Sequence, residues 1–437
     1  MSTRLPPGPY RVLSLDGGVE VPFYIIPFDK RGICVGPETR RHLIERVRNG
    51  GFSDIFLFSH GWNNDWTVAV RRYEDFLEGF MGMRRARALP RPDGYKPLLV
   101  GIFWPSTALV FTEKEKGPQI AGGQRQAVDE AVGEERLEVE TLAEDLDARQ
   151  AADLYELTQK ATLTAAEARR FAEIMSVFFS TKDDELGLDT AISTDELLEI
   201  WRQAPAVHDD LDDFIAAPGP QTAGFLSVLD PRDIVRTATV LKMKDRAGLV
   251  GGTGVHALLG DMLGASTARV HAIGHSYGAK VVLSATCAGP LPTKLHSILL
   301  LQPALSHLAF AATVPSTSRP GGYHPALTRV RRPILATYSR HDFPLTKLFH
   351  LAVRRNDDLG EARIAAAGEP PSKYAALGGF GPRHSGEHLI DILDAPGSYH
   401  LDENVRLYGV DGSRTISGHG AISNESTWWL LNNLMSA

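Results

Sequence analysis

A serine held between two glycines, Gly274-His275-Ser276-Tyr277-Gly278, stands where the apolar run Arg269-Val270-His271-Ala272-Ile273 gives way to Ala279-Lys280-Val281-Val282-Leu283-Ser284-Ala285, a run with helical spacing. A hydroxyl is a weak nucleophile until a base takes its proton, and a tight strand-to-helix turn lifts it clear of a sheet where a base can reach it. Glycines at 274 and 278 suit such a turn, because a side chain there would meet the neighbouring strand or helix. The expected base is His419, whose loop, Gly418-His419-Gly420, is small and sits ahead of the last helical run. His60 and His275 also lie near the rim, but each is built into a loop with another evident duty. A carboxylate must hold that imidazole in one tautomer and stabilise the imidazolium formed when the serine gives up its proton. Asp342, just past the polar tip of the run 332–342, is the expected acid, with Asp391, Asp394, Asp402 and Asp411 as competitors.

These groups need a sheet whose strands end at one rim. Residues 54–59, 98–103, 269–273, 296–301 and 332–338 are nearly continuous apolar runs, as strands of a parallel sheet covered on both faces are. Such sheets carry chemistry at their carboxyl ends. Residues 10–15 and 19–27, joined by Asp16-Gly17-Gly18, read as an antiparallel pair at the sheet edge. The spacing predicts an amphipathic helix over 37–49 with Leu43, Ile44 and Val47 inward, and another over 66–80 capped by Asn64 or Asp65. The loop His60-Gly61-Trp62-Asn63-Asn64-Asp65 follows the strand 54–59 and is thereby aimed at the rim that carries Ser276. Backbone N–H groups of Trp62 and Tyr277 would then form an oxyanion hole. Asp411-Gly412 reads as a hairpin turn between strands at 406–410 and 414–416.

The set His60-Gly61-Trp62-Asn63-Asn64, Trp104-Pro105-Ser106 and Gly274-His275-Ser276-Tyr277-Gly278 resembles the α/β-hydrolase superfamily. More narrowly, it is similar to a bacterial group of serine hydrolases with an H-G-x-N-N loop and a W-P-S strand end. The resemblance covers about residues 10–106 and 245–437, and Ser276, Asp342 and His419 follow its chain order of nucleophile, acid and base. It implies an α/β fold with a mostly parallel sheet flanked by helices, and a serine carboxylesterase, lipase-like in its reach to lipid esters, that needs neither metal nor cofactor. His60, Gly61, Asn63, Trp104 and His275 are expected to contact the substrate. A peptidase or amidase of the same fold stays open. A serine rather than an aspartate at the turn argues against epoxide hydrolases and dehalogenases.

The chain departs from that pattern between residues 108 and 245, an acidic, mostly helical insertion ahead of the nucleophile strand. Thr164-Ala165-Ala166-Glu167 and Ser193-Thr194-Asp195-Glu196 are capping boxes that open two of its helices. The insertion reads either as a lid or as a partner surface, and in the second case the chain would be an interaction protein. The expected division is 1–107 and 246–437 for the two halves of the core, with an irregular stretch near 355–404. His384 and His388 stand four apart there, but no third metal ligand is evident, and Asp183-Asp184-Glu185 and the acidic run 209–213 lack calcium-loop spacing. Over the 437 residues, a net charge of −7 without a Lys/Arg-rich block speaks against nucleic acid. No apolar run nears the ~18 residues a membrane span needs. The two cysteines, and an N-terminus without a signal peptide's apolar core, lead to the expectation of a cytoplasmic protein, and its expected partner is a small-molecule or lipid ester substrate.

Overall fold

Strands with no polar side are stable only when both faces are covered, and nine strands form a sheet with a hydrophobic core on each face. The computed structural model describes residues 7–15, 19–90, 94–106, 136, 138–160, 162–179, 182–183, 188–189, 192–203, 231–315, 317–348, 370, 375–402 and 404–436. The strands are β1 (Arg11–Leu15), β2 (Val19–Pro27), β3 (Asp54–Ser59), β4 (Pro97–Phe103), β7 (Arg269–His275), β8 (Ser297–Leu301), β9 (Ile334–Tyr338), β10 (His388–Asp391) and β11 (Leu407–Asp411); β5 (Lys182–Asp183) and β6 (Leu188–Asp189) pair separately. The order across the sheet is β1-β2-β4-β3-β7-β8-β9-β11-β10, parallel throughout except for β1, which runs antiparallel to β2 at the edge. The Asp16-Gly17-Gly18 turn lies outside the described residues.

Alternation along the strands divides the core. Ile55 and Leu57 of β3 with Leu98, Val100 and Ile102 of β4 face α1 (Pro37–Asn49), whereas Phe56, Phe58, Leu99 and Phe103 face α2 (Trp66–Ala86). Helix α1 buries Leu43 and Val47, and α2 is capped by Asp65, whose carboxylate accepts from the Val68 N–H at 2.8 Å.

The insertion has a core of its own. Helices α3 (Ala148–Thr158), α4 (Ala165–Phe179) and α5 (Thr194–Gln203) bury Leu154, Leu157, Phe171, Met175, Leu197 and Trp201 together. Both capping boxes form, each glutamate accepting from the N–H of Thr164 or Ser193 while that residue's hydroxyl accepts from the glutamate N–H. The boundary expected at 245 falls inside a helix, α6 (Pro231–Val250), whose Ile234, Val235 and Ala238 join the insertion's core while Met243, Ala247 and Val250 join the sheet's. A π-helical turn (Gly251–Val255) and α7 (His256–Ala265) extend it to β7, and α8 (Tyr277–Cys287) follows.

Two expectations need correction. Asp411 and Gly412 do not join two strands: β11 pairs in parallel with β9 and β10, and residues 412–416 form a turn closed by the Ile416 N–H donating to Gly412 O at 2.7 Å. The stretch near 355–404 is not wholly irregular, since it contributes the edge strand β10, although residues 351–369 lie outside the description, as do 184–185 and the acidic run 209–213. Among the described residues, no helix is long and apolar enough to cross a membrane.

At the amino end of the sheet a second polar line is sealed in. Asp54 Oδ1 accepts from His271 Nε2 at 3.0 Å and from Arg269 at 2.8 Å, and His271 Nδ1 meets Ser297 Oγ at 2.7 Å. Asp54, His271 and Ser297 are buried and Arg269 closes the line from the surface, so it ties β3, β7 and β8 together. The Asp54 carboxyl is held down at about 2 against the cost of burial by its bonds to His271, Arg269 and Ser53.

Candidate active site

Strands β3 and β7 are neighbours with Ser59 opposite Gly274, so the loops leaving their carboxyl ends meet. Ser276 sits at φ 54°, ψ −125°, between β7 and α8. A side chain in that region costs roughly 1–3 kcal/mol, and surrounding structure must hold it there. Here its N–H donates to Leu301 O at 3.1 Å and its carbonyl accepts from Ala279 N and Ala304 N at 3.1 and 3.3 Å. The flanking glycines are explained by close approach. A Cβ on Gly278 would lie 2.1 Å from Ser59 O, and one on Gly274 would lie 2.6 Å from Ala279 Cα.

His419 reaches this serine from the loop between β11 and α9 (Glu425–Ser436). Its Nε2 stands 2.9 Å from Ser276 Oγ and its Nδ1 stands 2.8 Å from Asp342 Oδ2. A carboxylate oxygen accepts, so the ring proton is on Nδ1 and Nε2 is left to accept from the hydroxyl. Asp342, past the end of β9 and fully buried, also takes the Leu345 N–H on Oδ1 at 3.1 Å and the Gln302 amide on Oδ2 at 2.8 Å. The competing carboxylates are engaged elsewhere: Asp394 with Arg414 and Ser426, Asp402 with Asn404, and Asp411 with the Ser413 N–H; Asp391 lies on edge strand β10.

The His60–Asn64 loop and the Trp104-Pro105-Ser106 strand end form one network. Ser106 accepts from Asn63 N at its carbonyl (2.9 Å) and from Asn64 N at its hydroxyl (3.1 Å), and the hydroxyl donates back to Asn64 O. The Asn64 amide donates to Gly61 O and Trp62 O at 3.1 and 2.6 Å. His60 donates from Nδ1 to Gly61 O at 2.8 Å and accepts on Nε2 from Trp104 N at 3.3 Å, its ring stacked on the indole with centroids 5.4 Å apart. Burial drives the His60 pKa down to about 3, so it is a neutral ring in a polar joint. Asn63 takes φ 54° to make the turn. The loop is pressed against the serine: a Cβ on Gly61 would lie 2.6 Å from Ser276 Cβ. Trp62, one of the two expected oxyanion donors, follows Gly61 in the chain, and Tyr277, the other, follows Ser276.

Several expected substrate contacts are corrected by burial. His60 and Trp104 are fully buried, with both His60 ring nitrogens and the Trp104 indole N–H bonded within the protein, so they brace the loop rather than face a substrate. His275 is equally enclosed, with its Nε2 2.9 Å from His419 O and its Nδ1 3.2 Å from Arg72 Nη1. Gly61 is buried under the loop, and Asn63 remains exposed at the rim. His384 occupies a turn at φ 63° and His388 opens β10, so the pair is not on a helix. No group of three or more His, Cys, Asp or Glu among the described residues is placed to hold a metal ion.

Two residues at the site escape the sequence reading. Gln302, which follows the Leu-rich strand β8 with φ 45°, orients Asp342 while its Oε1 accepts from Thr337 at 3.0 Å. A glutamine ending a leucine run was the only local signal. Arg72, on α2, carries none. No protein-family model, curated protein or solved structure matches this chain.

Proposed function

We propose that the chain is a serine hydrolase of the α/β-hydrolase fold that cleaves carboxylic esters, lipid esters among them, through an acyl-enzyme. One observation carries the reading: an unbroken line from Ser276 Oγ to His419 Nε2 and from His419 Nδ1 to Asp342, at 2.9 and 2.8 Å. The chain order of serine, aspartate and histidine, the strained turn under Ser276 and the parallel sheet that aims all three at one rim support it.

In the first half-reaction Ser276 Oγ bonds to the ester carbonyl carbon as its proton passes to His419 Nε2. Charge collects on the carbonyl oxygen, against the N–H groups of Trp62 and Tyr277. His419 then gives its proton to the alkoxy oxygen as that C–O bond breaks, which leaves the acyl group on Ser276. Water, deprotonated by His419, returns the serine and releases the acid. Asp342 holds the ring in the Nδ1–H tautomer throughout.

The test is hydrolysis of p-nitrophenyl esters from acetate to palmitate, with Ser276→Ala beside the wild type and fluorophosphonate labelling as a second readout. Turnover that vanishes in Ser276→Ala, with labelling at Ser276, is the expected result, and the preferred chain length defines the acyl class. No turnover on any ester together with no labelling would refute the reading and shift attention to the insertion as a binding module.

A further inference from the structure

Arg72 belongs to no motif, yet its side chain reaches the centre of the site. It projects from α2 and sets Nη1 3.2 Å from Nδ1 of His275, whose Nε2 lies 2.9 Å from the backbone carbonyl of His419. A guanidinium offers donors only, so His275 Nδ1 accepts. The one proton of the neutral ring is then on Nε2, and it donates to His419 O. The reverse tautomer would set N–H against N–H on one side and a lone pair against a carbonyl on the other.

We propose that Arg72 fixes the tautomer of His275 and that His275 pins the main chain of His419, which makes both of them positioning residues for the base. The proposal rests on the reading of Ser276 and His419 as nucleophile and base.

The need for a pin follows from the loop. His419 stands between Gly418 and Gly420, and glycine gives the chain on both sides the widest choice of backbone angles. The loop's bonds from Ala421 N to Gly418 O at 3.1 Å and from Ile422 N to Gly420 O at 2.8 Å involve the residues on either side, while the His419 carbonyl accepts from His275. His275 is also the residue before Ser276. The bond therefore fastens the base to the nucleophile's own turn, so the two cannot drift apart without breaking it.

Arg72 is suited to this task. Among the described residues no carboxylate pairs with it, and its Nε is buried without a hydrogen bond. Its guanidinium sits under the loop, with Nη2 and Nη1 3.8 and 3.9 Å from where a Cβ of Gly420 would be. The guanidinium is partly buried, and its direct hydrogen-bond partner here is His275. Burial first, then the Arg72 charge, push the His275 pKa well below that of a free histidine, so the ring stays neutral as its two bonds require.

The experiment needs no substrate. Nitrogen-15 resonances of the His275 ring report its tautomer, and the far-downfield proton of His419 Nδ1–H reports whether the imidazole is seated on Asp342. The expected wild-type result is a single Nε2–H tautomer at His275 that does not titrate through neutral pH. Arg72→Met should convert it to a mixture, and His275→Phe should broaden or abolish the His419 signal. His275→Gln, whose amide nitrogen reaches the place of Nε2, should restore that signal. With turnover established, kcat should fall about tenfold in His275→Phe at unchanged KM, the size of one lost hydrogen bond, and recover in His275→Gln. An Nδ1–H tautomer in the wild type, or a His419 signal untouched in both His275→Phe and Arg72→Met, overturns the proposal. A wild type that neither turns over esters nor takes the fluorophosphonate overturns the hydrolase reading instead, and the resonances still decide the pin.

Discussion

Replacing Gln302 with methionine keeps nearly the same volume and removes both ends of the amide. Asp342 is fully buried and has three donors, from His419, Gln302 and Leu345, and the substitution leaves Oδ2 with the histidine alone. A hydrogen bond to a charged group contributes about 1.5–3 kcal/mol net. The Thr337 hydroxyl, which donates to Gln302 Oε1 at 3.0 Å, loses its acceptor as well, for about 1 kcal/mol more. Together the loss is about 3 kcal/mol, within the ~5–15 kcal/mol that holds an ordinary domain, so the protein still folds. Urea unfolding followed by tryptophan fluorescence measures it. The same change frees Asp342 to rotate, and a drop of about tenfold in kcat and in fluorophosphonate labelling is expected, the equivalent of about 1.4 kcal/mol. Gln302→Glu sharpens the test: the introduced carboxyl, while protonated, can donate to Asp342 as the amide does, but two carboxylates at that distance cannot both ionise. Its activity should therefore fade as pH rises, from a level near wild type in acid. If Gln302→Met loses less than about 0.5 kcal/mol and keeps full labelling, the supporting role assigned to this side chain is wrong.

Ser106→Ala removes the hydroxyl that both receives from and donates to Asn64, so the Trp62 loop loosens; kcat should fall by about ten- to a hundredfold with little change in KM, read on the preferred ester. Ser297→Ala breaks the sealed line at the amino end of the sheet, far from Ser276, and should cost about 1–3 kcal/mol in denaturant unfolding while kcat stays at the wild-type value. Stability should also fall with pH on the acid side. An unfolded histidine takes up its proton near 6.5 and folded His60 only near 3, so in that window the unfolded chain binds the extra proton and stability drops by about 1.4 kcal/mol per pH unit for this residue. Comparing unfolding at two pH values in this window, wild type against His60→Asn, should show the slope shallower by that amount; equal slopes would mean His60 is not buried neutral.

What the sequence made legible was whatever depends on neighbours in the chain. The limits of β3 at Asp54–Ser59 and of α1 at Pro37–Asn49 follow from apolar patterning and from the breakers beside them, and both match. Ser276, Asp342 and His419 could be singled out because each stands at a change of pattern: strand into helix, strand into polar tip, strand into a glycine loop. Asp411-Gly412 misled because a turn signal says where the chain bends and nothing about what pairs afterwards; β11 finds both its partners, β9 and β10, behind it in the sequence rather than ahead. Four-residue β10, mostly exposed, has too little burial to leave a pattern. Gln302 and Arg72 act across 40 and 203 residues of chain, and no local rule points to a bond of that reach. His60 and Trp104 were expected to touch substrate because they border the rim; only burial distinguishes a residue that lines a cleft from one that braces its wall.

The helix that joins the insertion to the sheet has a mechanical consequence. At 1.5 Å per residue, α6 is a strut about 30 Å long, anchored in two separate cores, with Lys242 clamped to Asp145 at 2.7 Å on one side and Arg246 donating to Pro105 O at 3.1 Å on the other. A strut built in at both ends has no pivot between them. Residue 245 lies inside this helix and is not a loop hinge. Any tilt must flex the whole rod, and the load arrives at Pro105, next to the serine that holds the Trp62 loop.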